Sequence, residues 1–166
     1  MAVVVSDTTP LHYLILIGRD SGLQTLYGGI IMPPAVLGEL AHPAAPQDVS
    51  AWAKSPPAWL TVRAPQSIPQ HLDNLDLGER QALALAKEIH AELILLDDKV
   101  ARRCAERESL RIRGTLGVVA DAAKAGLLNF RETVESLRRT SVRMDPPLAR
   151  RIIEEQEKGL QKGLGD

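Results

Sequence analysis

The sequence predicts an α/β protein built on a mostly parallel central sheet. Three observations carry that reading. Short apolar runs alternate with longer segments of helical period along the 166 residues. The apolar runs are continuous, as expected for strands buried on both faces, and the cleanest of them stops on an aspartate pair. Strands separated by helices form βαβ units, whose right-handed crossovers put helices on both faces of the sheet.

Taken in order, Ala2–Val5 reads as a buried strand and Thr9–Ile17 as a helix that tolerates Pro10 in its first turn. Gly29–Met32 is a short strand stopped by Pro33-Pro34, which then open a helix over Ala35–Ala41. Residues 42–70 are proline-rich and irregular, with room for a short helix at Asp48–Lys54 and a strand at Trp59–Arg63. From Asp76 a helical stripe runs through Leu77, Leu83, Ala86, Ile89 and His90, and Leu93–Leu96 follows as the clearest strand. A charged helix is expected at Ala101–Glu108, a strand at Arg111–Arg113, and helices at Leu116–Ala125, closed by Gly126, and Phe130–Arg139. Asp145 is placed to cap a last helix with Leu148, Ile152, Gln156 and Leu160 at spacings of four.

Composition narrows the function. The chain is 45% hydrophobic but 3% aromatic, so its core is aliphatic, and its length suits one domain over residues 1–166 with added helices from about 130. With 20 Lys and Arg against 21 Asp and Glu, the net charge of −1 excludes a binder that attracts nucleic acid over its whole surface, though not a local basic patch. Cys104 is the single cysteine, which excludes an internal disulfide and a cysteine-rich zinc site. Neither N-terminal apolar run reaches the ~20 residues of a membrane span, and no targeting pattern is visible. A soluble cytoplasmic protein is expected.

In an open parallel sheet, ligands bind beyond the carboxyl ends of the strands. Asp7 follows the first strand, and Asp97-Asp98 follow Leu93–Leu96. Glu39 lies on the helix after the second strand, and Glu79 in the first turn of the helix before Leu93. Carboxylates about 5 Å apart repel by roughly 3 kcal/mol at an effective dielectric of about 20. A divalent cation is their natural partner, and an all-oxygen donor set suits Mg²⁺ or Mn²⁺. Each acid also has a plainer reading. Asp7, Asp97 or Asp98 can cap the helix that follows, Glu39 can be a solvated helix residue, and Asp76-Leu77-Gly78-Glu79 has capping-box spacing. The joint placement on one rim carries the functional reading.

Phosphate-binding glycine motifs and a serine nucleophile elbow are absent from the sequence, and His12, His42, His71 and His90 lack metal-ligand spacing. Basic residues cluster at Lys99, Arg102, Arg103, Arg107, Arg111 and Arg113, and again at Arg138, Arg139, Arg143, Arg150 and Arg151. Beside an acidic pocket such residues form a phosphate-contacting rim; otherwise they form a salt-bridged surface helped by Glu106 and Glu108. Gly114-Thr115-Leu116-Gly117 is a glycine-bearing helix entry able to receive a phosphate, or a tight turn.

Five segments then come in a recognisable order. They are Ser6-Asp7-Thr8-Thr9-Pro10-Leu11, Pro34-Ala35-Val36-Leu37-Gly38-Glu39-Leu40, Leu77-Gly78-Glu79-Arg80-Gln81-Ala82-Leu83-Ala84-Leu85-Ala86, Leu95-Leu96-Asp97-Asp98-Lys99-Val100-Ala101-Arg102 and Arg113-Gly114-Thr115-Leu116-Gly117. Over about residues 2–130 and into the C-terminal helices, the chain resembles a PIN domain of the DUF3368 type, related to VapC toxins. The resemblance implies a three-layer α/β/α fold and a Mg²⁺- or Mn²⁺-dependent ribonuclease that leaves 5′-phosphate and 3′-hydroxyl ends. Asp7 matches the family's first-strand Asp, Glu39 its helix Glu and Glu79 its third acid. Asp98 fits the fourth acid by spacing, and Asp97, where VapC proteins carry a different residue, is kept beside it. Catalysis is thus expected from Asp7, Glu39, Glu79 and Asp98, metal binding from these and Asp97, and RNA contact from Lys99, Arg102, Arg103 and Thr115. The resemblance also implies a homodimer and a small antitoxin partner. Thr8-Thr9 stands where the family pattern carries Thr-Asn, which together with the capping-box spacing of Glu79 motivates a second reading, a non-catalytic RNA- or protein-binding module.

Overall fold

The first apolar run becomes the middle of the sheet. A computed structural model describes residues 2–140 and 146–164 of the chain. Strand β1 (Val4–Ser6) pairs in parallel with β2 (Ile30–Met32) on one side and β4 (Leu93–Leu95) on the other, with Val5 opposite both Ile31 and Ile94. β3 (Leu60–Val62) extends the sheet beyond β2, and β5 (Ile112–Arg113) beyond β4. The order is β3-β2-β1-β4-β5 and every pairing is parallel. The chain winds outward through β2 and β3, then returns to start the other half at β4. The winding direction therefore reverses between β1 and β4, where an open α/β sheet leaves a crevice at its carboxyl edge.

Residues 1–115 and 116–166 form two compact units. In the first, helices α1 (Thr8–Leu16), α2 (Gly22–Tyr27), α3 (Pro34–Leu40), α4 (Gln47–Lys54), α5 (Leu77–Glu88) and α6 (Lys99–Arg107) connect the strands. The flanking helices give the sheet the expected three-layer α/β/α architecture. On one face Val5, Ile94 and Leu96 pack against Ala82, Leu83, Leu85 and Ala86 of α5 and Ala101, Cys104 and Ala105 of α6. The small alanines let both helices lie close to the strands, which is how a core nearly without aromatics closes. Val4, Ile30, Met32 and Leu95, pointing the other way, are buried as well. Burial on both faces is the reason the strands read as unbroken apolar runs.

Four details differ from the sequence reading. Helix α2 was not anticipated, because a single turn and a half that buries only Leu23 has too little periodicity to show. Leu77 is not part of the buried stripe of α5. It is 49% exposed at the first helical position, and burial begins at Gly78 and Ala82. His90 lies beyond the helix end with φ of 52°, in the left-handed region. Glu108, which the salt-bridged-surface alternative offered to the arginines of α6, pairs with Lys87 and His71.

The second unit contains most of α7 (Thr115–Lys124), with α8 (Phe130–Arg138) and α9 (Pro146–Leu164). The Asn129 side chain caps α8 by accepting from Glu132 N at 3.0 Å. The α8 face of Phe130, Thr133, Val134 and Leu137 is buried, as are Ala149 and Ile153 of α9. Arg131 pairs with Glu157, and Arg138 with Glu135, so part of the C-terminal basic group serves surface ion pairs. Asp145, Arg143 and the side chain of Leu160 lie outside the described residues. Among the described residues no helix is long and apolar enough to cross a membrane.

Leu96 is fully buried between the sheet and α5/α6. Leu96→Ala is expected to lower unfolding free energy by about 2–5 kcal/mol, through lost burial plus a cavity. Urea titration followed by circular dichroism checks this: the midpoint should fall at unchanged slope.

Candidate metal centre at the carboxyl edge

All the predicted acids but Glu39, which lies near the end of α3, sit at or beside helix starts on the carboxyl edge, and their hydrogen bonds divide them. Asp98 is the N-cap of α6, its Oδ1 accepting from Ala101 N at 2.9 Å. Asp76 is the N-cap of α5 within a complete capping box: Asp76 Oδ1 accepts from Glu79 N at 2.8 Å, and Glu79 Oε2 accepts from Asp76 N at 3.3 Å. Asp97 reaches out of its own segment. Its Oδ1 accepts from Thr115 N at 2.7 Å, and its Oδ2 accepts from the Thr115 hydroxyl.

Asp7 occupies the N-cap position of α1 and makes no side-chain cap bond. Its backbone N–H continues the sheet by donating to Leu95 O at 2.9 Å. The residue is 4% exposed, and Oδ1 is buried without any hydrogen-bond partner. Leaving a buried polar atom unpaired costs roughly 1–3 kcal/mol, and more when it is charged. The helix-capping explanation therefore accounts for Asp98 and Asp76 but not for Asp7.

Electrostatics tie the group together. The Asp7 carboxyl is pushed up from 3.8 to about 7, chiefly by burial and further by Asp76, Glu39 and Asp97, while the Thr8 backbone N–H opposes the rise. Glu79 is pushed up from 4.5 to about 7, again first by burial, then by Asp76, Asp98 and Asp7, against its bond from the Asp76 backbone. Every predicted acid thus acts on Asp7 or Glu79. Asp97 acts on Asp7, whereas Asp98 acts on Glu79. Asp76 acts on both, and sequence reasoning treated it only as a cap. The signal was available: a capping box with Asp at its first position and Glu at its fourth brings two carboxylates to one helix end.

Glu39 is exposed on α3 and accepts a hydrogen bond from the Thr8 hydroxyl. Its helix is tied to α5 by Gln81 Oε1, which accepts from Ala35 N at 3.0 Å. Gly78 stands against the Glu39 carboxylate so closely that a Cβ there would lie 2.6 Å from Oε1. Gly114 stands the same way against Asp97, with a Cβ 2.6 Å from Oδ1 and 3.2 Å from Arg102 Nη1. Arg102 is half-buried at this corner, while Lys99 and Arg103 are exposed. Thr115, expected on the RNA-contacting rim, is 4% exposed and engaged with Asp97 through both its N–H and its hydroxyl.

Among the described residues no three acidic, histidine or cysteine side chains converge as a ready-made cation cage. The donor set nevertheless fits a hard divalent cation. It is all oxygen, it carries excess negative charge, and at its centre is a buried carboxylate oxygen with nothing to bind.

A sequence-family model described as a PIN domain, DUF3368, matches residues 3–158. No curated protein matches the sequence. Among solved structures, the chain is similar to a PilT N-terminus domain protein from the hyperthermophilic archaeon Sulfolobus solfataricus P2. That likeness has 16% identity and a TM-score of 0.48, covering 87% of this chain and 100% of the other.

The raised carboxyls set a pH dependence in metal-free protein. Between about 4 and 7 the folded state holds protons that the unfolded state has released, so stability falls as pH rises through that window and levels off above it. For Asp7 the penalty at pH 8 is at most about 4 kcal/mol. Asp7→Asn is expected to raise the pH 8 melting temperature in EDTA and flatten the pH profile. Thermal melts from pH 4 to pH 8 check this; a wild-type profile that rises across the window contradicts it.

Proposed function

The chain belongs to the DUF3368 family of PIN domains, a nuclease-type fold, and on that premise we propose that it is a Mg²⁺- or Mn²⁺-dependent endoribonuclease. The observation that carries the reading is Asp7, whose carboxylate is buried, has one oxygen (Oδ1) without a hydrogen-bond partner and is surrounded by like charge at the carboxyl edge of the central strand. PIN domains generally use divalent metal ions. Asp7, Glu39, Glu79 and Asp97 would hold the cation here, with Asp98 beside Glu79. When bound, the cation lowers the pKa of a coordinated water and offsets charge on the phosphoryl oxygens.

The chain's own residues supply the rest. Asp7, rigidly placed by the β1–β4 ladder, fixes the centre of the site. The capping box orients Glu79 from the start of α5. Arg102, half-buried at the corner of Gly114 and Asp97, would meet a substrate phosphate, and exposed Lys99 and Arg103 would extend that positive edge along α6. A hydrolysis driven by activated water needs no protein nucleophile, consistent with Cys104 being buried in the α6 core.

Its biological setting, on the resemblance to VapC proteins, is the toxin half of a toxin–antitoxin pair, acting as a two-fold dimer with a small antitoxin. We read residues 1–166 as one PIN-type domain, supported by a family match that runs through both compact units. A second reading, an RNA- or protein-binding module without catalysis, draws support from one observation: Asp98 and Glu79 are both engaged in helix caps.

Asp7→Asn is expected to reduce Mn²⁺-dependent cleavage of single-stranded RNA by roughly a hundredfold or more, with fold retained by circular dichroism. Comparing Asp97→Asn with Asp98→Asn shows which strand-end acid serves the metal. Mn²⁺ binding without cleavage by wild type supports the binding module instead.

Arg102→Ala is expected to weaken RNA binding and to reduce the slope of log affinity against log salt by about 0.7, one single-strand phosphate contact. Filter binding across a salt series measures it; an unchanged slope removes Arg102 from the interface.

A further inference from the structure

Two of the acids are held in the same way from opposite sides of the crevice. Glu39 takes a hydrogen bond from the Thr8 hydroxyl, and Asp97 takes one from the Thr115 hydroxyl and one from Thr115 N. Each carboxylate also lies where a neighbouring side chain would otherwise be. A Cβ at Gly78 would fall 2.6, 3.0 and 3.1 Å from Oε1, Cδ and Oε2 of Glu39. A Cβ at Gly114 would fall 2.6 Å from Asp97 Oδ1. Neither glycine has a positive φ, so backbone conformation does not explain them. Gly78 lies within the first turn of α5, where glycine weakens a helix by roughly 1 kcal/mol relative to alanine.

We propose that Thr8 with Gly78, and Thr115 with Gly114, form two carboxylate seats that position Glu39 and Asp97 for the cation. The proposal rests on the metal-dependent reading above and adds four positioning residues to it. The hydroxyl fixes the rotation of each carboxylate, and the missing Cβ gives it room. Asp7 Oδ1, buried without a hydrogen-bond partner, is left for the metal. Because the clash at Gly78 or Gly114 involves the end of a flexible side chain, an added methyl displaces the carboxylate rather than the fold.

That makes stability and metal affinity move in opposite directions at one position. Gly78→Ala is expected to raise the metal-free melting temperature by about 2–4 °C through helix propensity. It should also weaken Mn²⁺ binding by roughly tenfold or more, the usual cost of losing a ligand's support. Thr8→Val and Thr115→Val should weaken Mn²⁺ binding similarly and lower kcat with little change in KM. Thr8→Ser and Thr115→Ser keep the hydroxyl and should restore both.

The experiment titrates the full-length, metal-free chain with Mn²⁺, reading free ion by electron paramagnetic resonance, alongside thermal melts and cleavage kinetics on single-stranded RNA. Wild type that binds no Mn²⁺ overturns the metal-dependent reading, and the seats with it. Wild type that binds Mn²⁺, with Val and Ala variants of unchanged affinity, overturns the seats alone. Weakened binding that serine does not restore overturns the hydroxyl's part. If Gly114→Ala loses its fold, Gly78→Ala decides the glycine's part.

Discussion

A buried carboxylate oxygen without a hydrogen-bond partner, Oδ1 of Asp7, is the constraint around which the first unit is arranged. Asp7 follows the middle strand, and its N–H still belongs to the sheet through Leu95 O. Its position is therefore as rigid as the β1–β4 pairing itself. Moving it into solvent would break the ladder, and burial together with the neighbouring acids raises its pKa to about 7, so near neutral pH the carboxyl is only partly ionised without a cation. The other acids surround this fixed point with charge instead of relieving it. Such an arrangement opposes stability in the metal-free chain, which is the usual sign of a site kept for chemistry.

The surrounding acids are distributed by helix geometry. An open parallel sheet turns several helix N-termini toward its carboxyl edge, and each carries unsatisfied N–H groups that favour aspartate. Asp76 and Asp98 meet that need locally, and Asp97 meets it at Thr115, eighteen residues away. Capping and charge collection are therefore compatible. A carboxylate has about four acceptor sites, and one or two bonds to N–H or hydroxyl donors leave the rest free. The same acid can end a helix and face a cation.

Much of the fold was legible because local rules and tertiary demands agree along this chain. Continuous apolar runs such as Leu93–Leu95 announce strands covered on both faces, and Pro33-Pro34 both stop β2 and open α3. The capping box at Asp76 marked the start of α5 to the residue. Helix α2 was missed because a short helix burying one leucine has little pattern to display. Leu77 was misplaced because helical spacing alone does not say how far a helix projects beyond the sheet. The partners of Glu108 were not legible because the neighbouring helix offers arginines, whereas Lys87 and His71 come from elsewhere in the chain.

By itself the sequence determined the succession of strands and of every helix but α2, the α/β class and the aspartates that follow β1 and β4, since these follow from periodicity, caps and breakers over a few residues. The tertiary structure alone decided which acid is satisfied and which is not. Asp7 and Asp98 both follow a strand and precede a helix, yet Asp98 accepts Ala101 N while Asp7 lies buried and uncapped. It also decided that Asp97 turns to Thr115, that Asp76 acts on both Asp7 and Glu79, and that Gly78 and Gly114 stand against carboxylates. Desolvation and like-charge repulsion depend on distances between segments far apart in the chain, and only the packed sheet sets those distances.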